Sequence, residues 1–388
     1  MSERRRRLTD EQLDDLRQRV PVQEIAEQHV KLHKSGGKLV GPCPICSKNP
    51  GDKSDTRFCL KSAESWACAA CGDGGDVIAL VMRITGKEFR ETVDWLGGPR
   101  ELTPEEEEKL RRDREQRSDQ ADKDENSFRE RERRICWGVW DNAASLIGST
   151  AEAYLRDLRK LTKLPDRAQI RCVEDMPYWL SDDRDKAEII HRGPAMVAAI
   201  VGRAGRFAGI HLTYIDLNKP KGKVELRDPR DGKPLKAKKT RGSAGGGHLI
   251  LTNPPEPERL IGGEGIETTG AVWLAHEMTG RDNSRTAYWP LISMGNMAGK
   301  SKQSVRHPTL KGPKGAPRRV PGPVPDMESA SIIFPASVKE LILLGDGDSD
   351  PFTTQCAMAR GAARHAQPGR KVRVAWAPPE HDFADLLP

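Results

Sequence analysis

Apolar residues recur at helical spacing near the N-terminus. Leu13, Leu16 and Val20 follow Thr9-Asp-Glu-Gln12, a capping-box sequence that opens a helix, and Pro21 interrupts the run. A second short helix is expected from Val22 to about Val30. It leads to Gly36-Gly37 and a strand at Lys38-Leu-Val40. Further on, Val77, Ile78, Leu80, Val81 and Ile84 form one apolar helical face that ends near Gly86. Another helix carries Phe89, Val93, Trp95 and Leu96 and stops at Gly97-Gly98-Pro99, where we expect a domain boundary.

The second half reads differently. Short apolar runs at Met196–Val201, Gly209–Ile215, His248–Leu251, Arg259–Ile261, Trp289–Ser293, Val338–Leu344 and Val372–Ala375 predict strands. Helical patterns at Ile266–Glu277 and Thr353–Ala366 fall between the later ones. Strand–helix alternation predicts an α/β domain with a mainly parallel sheet. Residues 299–325 show no apolar periodicity and read as a long Pro/Gly/Lys/Arg-rich loop.

Charge changes this picture in two places. Residues 101–135 hold 13 Asp/Glu and 10 Lys/Arg among strong helix formers, with Pro104 near the start, and are expected to form a charged helical linker. Residues 219–241 carry ten Lys/Arg against three acids, and residues 300–319 carry seven Lys/Arg and no acid. Each segment alone equals the whole-chain net charge of +7, so the remainder is net acidic. Such concentration suits a polyanionic partner. No run approaches the ~20 apolar residues of a membrane span, and the basic N-terminus lacks the apolar core of a signal peptide. A cytoplasmic protein with no membrane partner is expected.

Four of the eight cysteines form two C-x-x-C pairs, Cys43-Pro-Ile-Cys46 and Cys68-Ala-Ala-Cys71. Two intervening residues let both sulfurs of a pair reach one ion, and four such ligands satisfy tetrahedral Zn²⁺. The spacing predicts a zinc ribbon, with strands at Arg57–Lys61 and Ser65–Ala67 and Gly72 easing the second knuckle. His33 is a rival ligand, though four cysteines suffice. A redox role is disfavoured because neither pair opens a helix. Four thiolates leave no open coordination position, so this zinc is structural. Cys59, Cys136, Cys172 and Cys356 read as small buried residues.

A second constellation is acidic. Glu264 follows one predicted strand, and Asp346 and Asp348 follow another, each beside glycine. Sites in open α/β sheets form at the carboxyl ends of strands, and clustered carboxylates suit Mg²⁺ or Mn²⁺. Asp350 lies nearby, and Asp382 and Asp385 add acids near the C-terminus.

These residues resemble a family. Val22–Ile25, Val30–Leu32, Gly41–Cys46 and Cys68–Val77 look like the CHC2-type zinc-binding domain of bacterial DnaG-type and phage primases. Gly263-Glu-Gly-Ile-Glu-Thr-Thr269 and Leu344-Gly-Asp-Gly-Asp348 resemble the two signature motifs of Toprim domains. Gly209–Tyr214 resembles a segment preceding Toprim in phage- and plasmid-borne primases. The resemblance implies a zinc-binding domain at 1–98, a linker at 99–135, the basic N-terminal part of an α+β primase core at 136–255, and a Toprim domain at 256–388. It implies that Glu264, Asp346 and Asp348 are catalytic and metal-organising, with Asp382 or Asp385 at the family's later acidic position. Cys46 departs from the histidine common in DnaG-type first knuckles.

The implied activity is synthesis of RNA primers from NTPs on single-stranded DNA. Lys236, Lys238, Lys239 and Arg241 are candidates for phosphate contacts, and Arg57, Phe58, Lys61 and Trp66 for reading template bases. Phe58 and Trp66 equally fit a packing role. The chain ends soon after the Toprim motifs, so any replicative helicase is expected to be a separate partner. A Toprim-type nuclease and a non-catalytic, zinc-dependent single-stranded DNA-binding protein remain alternatives. None of the four tyrosines sits in a catalytic motif, which argues against a topoisomerase.

Overall fold

The computed structural model describes residues 8–35, 38–180, 188–230, 232–312 and 315–388; the expected Gly36-Gly37 turn and Asp231 lie outside them. Two compact units divide at Glu125/Asn126.

In the first unit, α1 (Asp10–Arg19) opens on the Thr9–Gln12 capping box, both halves of which form. Then come α2 (Val22–Glu27), β1 (His33–Ser35), β2 (Lys38–Gly41), β3 (Phe58–Ser62), β4 (Ser65–Cys68) and β5 (Gly74–Gly75). The five strands form one antiparallel sheet in sequence order. Asp76 caps α3 (Val77–Thr85), accepting from the Ala79 amide, and Gly86 closes that helix at φ 73°. α4 (Phe89–Trp95) follows. The apolar face of α3 meets Leu16, Ile25, Phe58 and Trp66 in a single small core. Each such side chain withdrawn from water contributes about 1.5–3 kcal/mol, a modest total for so small a sheet.

The charged segment is one helix, α5 (Pro104–Asp141). It does not stop near residue 135, where the linker was expected to end. The change of composition at Cys136 marks where the helix joins a hydrophobic core, not where it breaks: Cys136 packs among Tyr178, Val197 and Tyr214.

After β6 (Ala144–Ser145) and α6 (Thr150–Ala153), the second unit builds an antiparallel sheet. Its strands are β7 (Ile170–Trp179), β8 (Ile189–Val201), β9 (Phe207–Tyr214) and β10 (Lys238–Gly242), in the order β10-β9-β8-β7-β6. A parallel sheet follows from β11 (Arg259–Gly263), α7 (Ile266–Met278), β12 (Thr286–Pro290), α8 (Met294–Ala298), β13 (Ser304–Lys311), β14 (Pro317–Pro321), β15 (Glu340–Gly345), α9 (Pro351–His365) and β16 (Lys371–Trp376). Its order is β12-β11-β15-β16, every pairing parallel, while β13 and β14 form a separate antiparallel hairpin. A zinc ribbon followed by mixed α/β architecture with this parallel sheet agrees with the expected fold class.

Three expectations need correction. His248–Leu251 is not a strand: it makes one bridge, His248 to Val201. Leu249 and Leu251 are apolar because they fill the core, not because they alternate across a pleat. The strand expected at Trp289–Ser293 lies earlier, at Thr286–Pro290. The expected loop at 299–325 contains the β13–β14 hairpin. Only His307 and Val320 among its strand residues are buried, so no apolar alternation announces it.

Among the described residues, no helix is long and apolar enough to cross a membrane.

Candidate functional site

The two cysteine pairs converge. Cys43, Cys46, Cys68 and Cys71 hold their sulfurs within 4.8 Å of one another, and His33 is not part of the group. Zn–S bonds of about 2.3 Å place tetrahedral sulfurs about 3.8 Å apart. The Cys46 and Cys68 sulfurs stand 3.7 Å apart, so this donor set fits zinc. Tight turns shape both knuckles. The Ser47 amide donates to Cys43 O at 3.0 Å and the Gly72 amide to Cys68 O at 3.0 Å. Gly72 takes φ 70°, which a side chain would resist. Burial raises the Cys43 thiol above its ordinary value, a cost that metal ligation offsets by stabilising the thiolate.

Around this centre, Phe58 and Trp66 stack at 5.4 Å between centroids. Both are buried, and Trp66 Nε1 donates to Asp76 O. Of their two expected roles, the geometry supports packing and not base reading. Arg57 and Lys61 are exposed, with Arg57 paired to Asp55.

The second site lies where the parallel sheet changes direction. From β11 the chain adds β12 on one side, then β15 on the other, and such a switch opens a crevice at the carboxyl ends of the strands. Glu264 follows β11 directly, and Asp346 follows the adjacent β15. The Asp346-Gly347-Asp348 loop is fastened to the segment after β16. Gly347 N donates to His381 O, and Glu380 N donates to Gly347 O. A Cβ on Gly347 would stand 2.0 Å from Pro378 O, so only glycine allows this approach.

Burial raises the Glu264 carboxyl, and Asp348 adds to the shift while Lys238 and Lys236 oppose it. Asp346 is pushed up to about 6, first by burial and then by Asp382, Asp348 and Glu264, against a hydrogen bond from Thr268. The carboxylates therefore share one electrostatic environment. Glu264, Asp346 and Asp348 make no ion pair among the described residues, and three carboxylates without a cationic partner fit a hard divalent cation. Asp382 and Asp385 are placed differently. Each accepts the other's backbone amide, and Asp382 also pairs with Arg159 at 2.6 Å. Their oxygens already serve a local turn and a buried arginine.

The four cations expected to act together are divided by strand alternation. Lys238 faces the acids, its Nζ 2.9 Å from Glu267 Oε2. Lys239 points to the other face, over the Tyr178 ring at 3.8 Å, and Arg241 pairs with Glu132. Lys236 and Lys238 line a cleft of about 1130 Å³ together with Lys223, Lys300, Arg360 and Glu264, and Lys239 borders it although its ammonium is turned to Tyr178.

Sequence reasoning missed Glu267 and Lys223. Glu267 is 3% exposed and accepts from Tyr154 Oη at 2.7 Å, Lys223 at 3.1 Å and Lys238 at 2.9 Å. Burial opposes its charge, but Lys238, Lys223 and Tyr154 outweigh burial and hold the carboxyl well below its ordinary range. Its place in Gly-Glu-Gly-Ile-Glu was visible; the lysines that find it come from distant segments.

Residues 8–112 match the CHC2 zinc finger family. This matched stretch contains all four cysteines of the metal centre. Over 98 residues, 25% of this chain, it is 32% identical to a DNA primase of Streptomyces coelicolor, and that stretch is 15% of the relative's length. A DNA primase of Enterococcus faecalis is 30% identical over 87 residues, 13% of its own length. The chain thus matches only a small part of these curated relatives. Residues 130–251 match a domain of unknown function, DUF7146. The crystal structure of the Aquifex aeolicus primase (zinc-binding and RNA polymerase domains) aligns with 98% of this chain and 82% of that one. The identity is 12% and the TM-score 0.31, too low to relate the two folds.

Proposed function

We propose that the chain is a DNA primase that joins NTPs into short RNA primers on single-stranded DNA. The observation that carries this reading is Glu264 beside Asp346 and Asp348 at the switch point of a parallel sheet, opening into a lysine-lined cleft. In this reading residues 136–255 are the N-terminal part of the primase core and 256–388 its Toprim part.

Asp346 and Asp348, with Glu264, would hold Mg²⁺ or Mn²⁺. Such an ion, when bound, neutralises phosphate charge and favours the ionised form of a hydroxyl nucleophile. The chain's own groups do the rest. Lys236 and Lys238 orient the triphosphate against the acids. Glu267 keeps the Lys238 ammonium aimed into the cleft. Glu264, at the mouth of the cleft, is placed to accept the proton that leaves a 3′-hydroxyl as that oxygen attacks the α-phosphate; pyrophosphate departs. The zinc module offers Arg57 and Lys61 as exposed cations for the template backbone. A replicative helicase supplying that template is a separate partner in this scheme.

The test is incubation with single-stranded DNA, labelled NTPs and Mg²⁺ or Mn²⁺. New oligoribonucleotides are expected, and they should vanish in Glu264→Gln and Asp346→Asn. Shortened DNA instead would identify a nuclease. Tight DNA binding with no product on any template would leave a binding protein.

A further inference from the structure

The β13–β14 hairpin takes no part in the parallel sheet, yet it is built with care. Arg360 on α9 is 3% exposed, and its guanidinium donates to Gly299 O, Pro321 O and Gly322 O. His307, buried on the hairpin's inner face, lies 2.9 Å from Asp350, two residues beyond Asp348. Val305 and Val320 are cross-strand partners on that same inner face. The hairpin is therefore fixed to α9 beside the acid-bearing loop. Lys300 and Pro321, at its two ends, line the cleft that also holds Glu264.

The exposed charge on this hairpin is unusual. Arg306 and Arg319 are direct cross-strand partners. Like charges in that relation destabilise a ribbon, so folding alone does not favour them. Lys302, Arg306, Lys311 and Arg318 are all exposed and make no ion pair among the described residues, and residues 299–325 contain no Asp or Glu to supply one. Protection of an open sheet edge requires a charge or two, not a row of one sign with its arginines opposed. The only aromatic ring on the two strands is that of buried His307, which packs against Phe352, so no exposed ring on them would stack on a base. Positive charge without stacking groups binds the phosphodiester backbone and does not read sequence.

We propose that the β13–β14 hairpin is a phosphate-binding arm that holds single-stranded DNA at the rim of the acidic cleft. The choice of single-stranded DNA rests on the primase reading, in which that strand is the template. The arm keeps the template near the acids without sequence preference, so the strand can advance as each nucleotide is added.

Two variants of the full chain test this by fluorescence anisotropy with a labelled oligothymidylate across a salt series. Arg306→Gln/Arg318→Gln and Lys302→Gln/Lys311→Gln change exposed side chains only, and thermal melts should match the parent. Each pair is expected to weaken binding roughly tenfold near physiological salt. Each should also make the slope of log K against log salt shallower, by about 0.7 for every phosphate that is no longer neutralised. Parental affinity and slope in both pairs would overturn the proposal, even if primers are made normally. Loss of affinity for duplex DNA alone would overturn the single-strand assignment. If the parent makes no primers but the variants lose single-strand binding as stated, the arm stands and the primase reading falls.

Discussion

Glu264 and Glu267 stand three residues apart, one before α7 and one in its first turn, and their surroundings are opposite. Glu267 is compensated by two lysines and a tyrosine hydroxyl. Glu264 is half-buried near other acids, with no ion-pair partner and only the more distant Lys238 and Lys236 favouring its charge. We expect Glu267→Gln to destabilise the second unit by roughly 3–5 kcal/mol, because it leaves Lys223 and Lys238 facing no carboxylate. Glu264→Gln should leave stability unchanged or higher while abolishing primer synthesis. Urea midpoints of the two variants separate the cases; equal destabilisation would show that the charges are not partitioned this way.

Histidine makes a second case at this scale. His248 stacks on Trp289 at 3.6 Å between centroids, and burial lowers it to about 4. Its imidazole is neutral when folded but binds a proton below about 6.5 when unfolded. The unfolded state thus holds more protons between those values, and stability falls as pH drops from about 6.5 towards 4. His248→Phe should flatten that acid limb, as followed by denaturation midpoints at pH 7 and pH 5.

At the scale of elements, the α9–hairpin junction hangs on Arg360. Replacing it with methionine removes a charged donor from three carbonyls, at roughly 2–4 kcal/mol. Limited proteolysis should then cut within 299–325 before the remainder of the second unit. An unchanged digestion pattern would mean that the hairpin is held mainly by Val305, Val320 and His307. This element also shows where sequence reading ends. Helices α3, α7 and α9 were legible because each buries an apolar face against a core. The zinc ribbon was legible because cysteine spacing is itself a geometric statement. The hairpin was not, since its pairing is written in Arg, Lys and Pro, and its anchors lie on a helix far along the chain. Glu264, Asp346 and Asp348 could be picked out from their place after apolar runs. The split of Lys238 from Lys239 could not, because β10 shows no apolar alternation to reveal it as a strand.

For the whole molecule, two compact units predict two unfolding events. The first unit has a small core and a four-sulfur metal centre, so its stability depends on zinc. Cys68→Ser, or removal of zinc by a strong chelator, should erase one calorimetric transition and leave the other in place. Primer synthesis should be lost although the parallel sheet remains folded. Full priming by the zinc-free protein would show that the module has no part in the reaction.

The basic hairpin enters and leaves its host through one doorway. Ser301 bridges Pro325, and Asp326 N donates to Lys300 O, so the segment's two ends are neighbours. A segment closed in this way is a cassette, and the chain on either side meets whether it is present or not. Splicing a short glycine–serine turn between Gly299 and Asp326 should therefore yield a protein whose parallel sheet still assembles. The excised ribbon is likewise a part that protein engineers could transplant between two strands of another α/β enzyme, wherever a helix offers it an arginine.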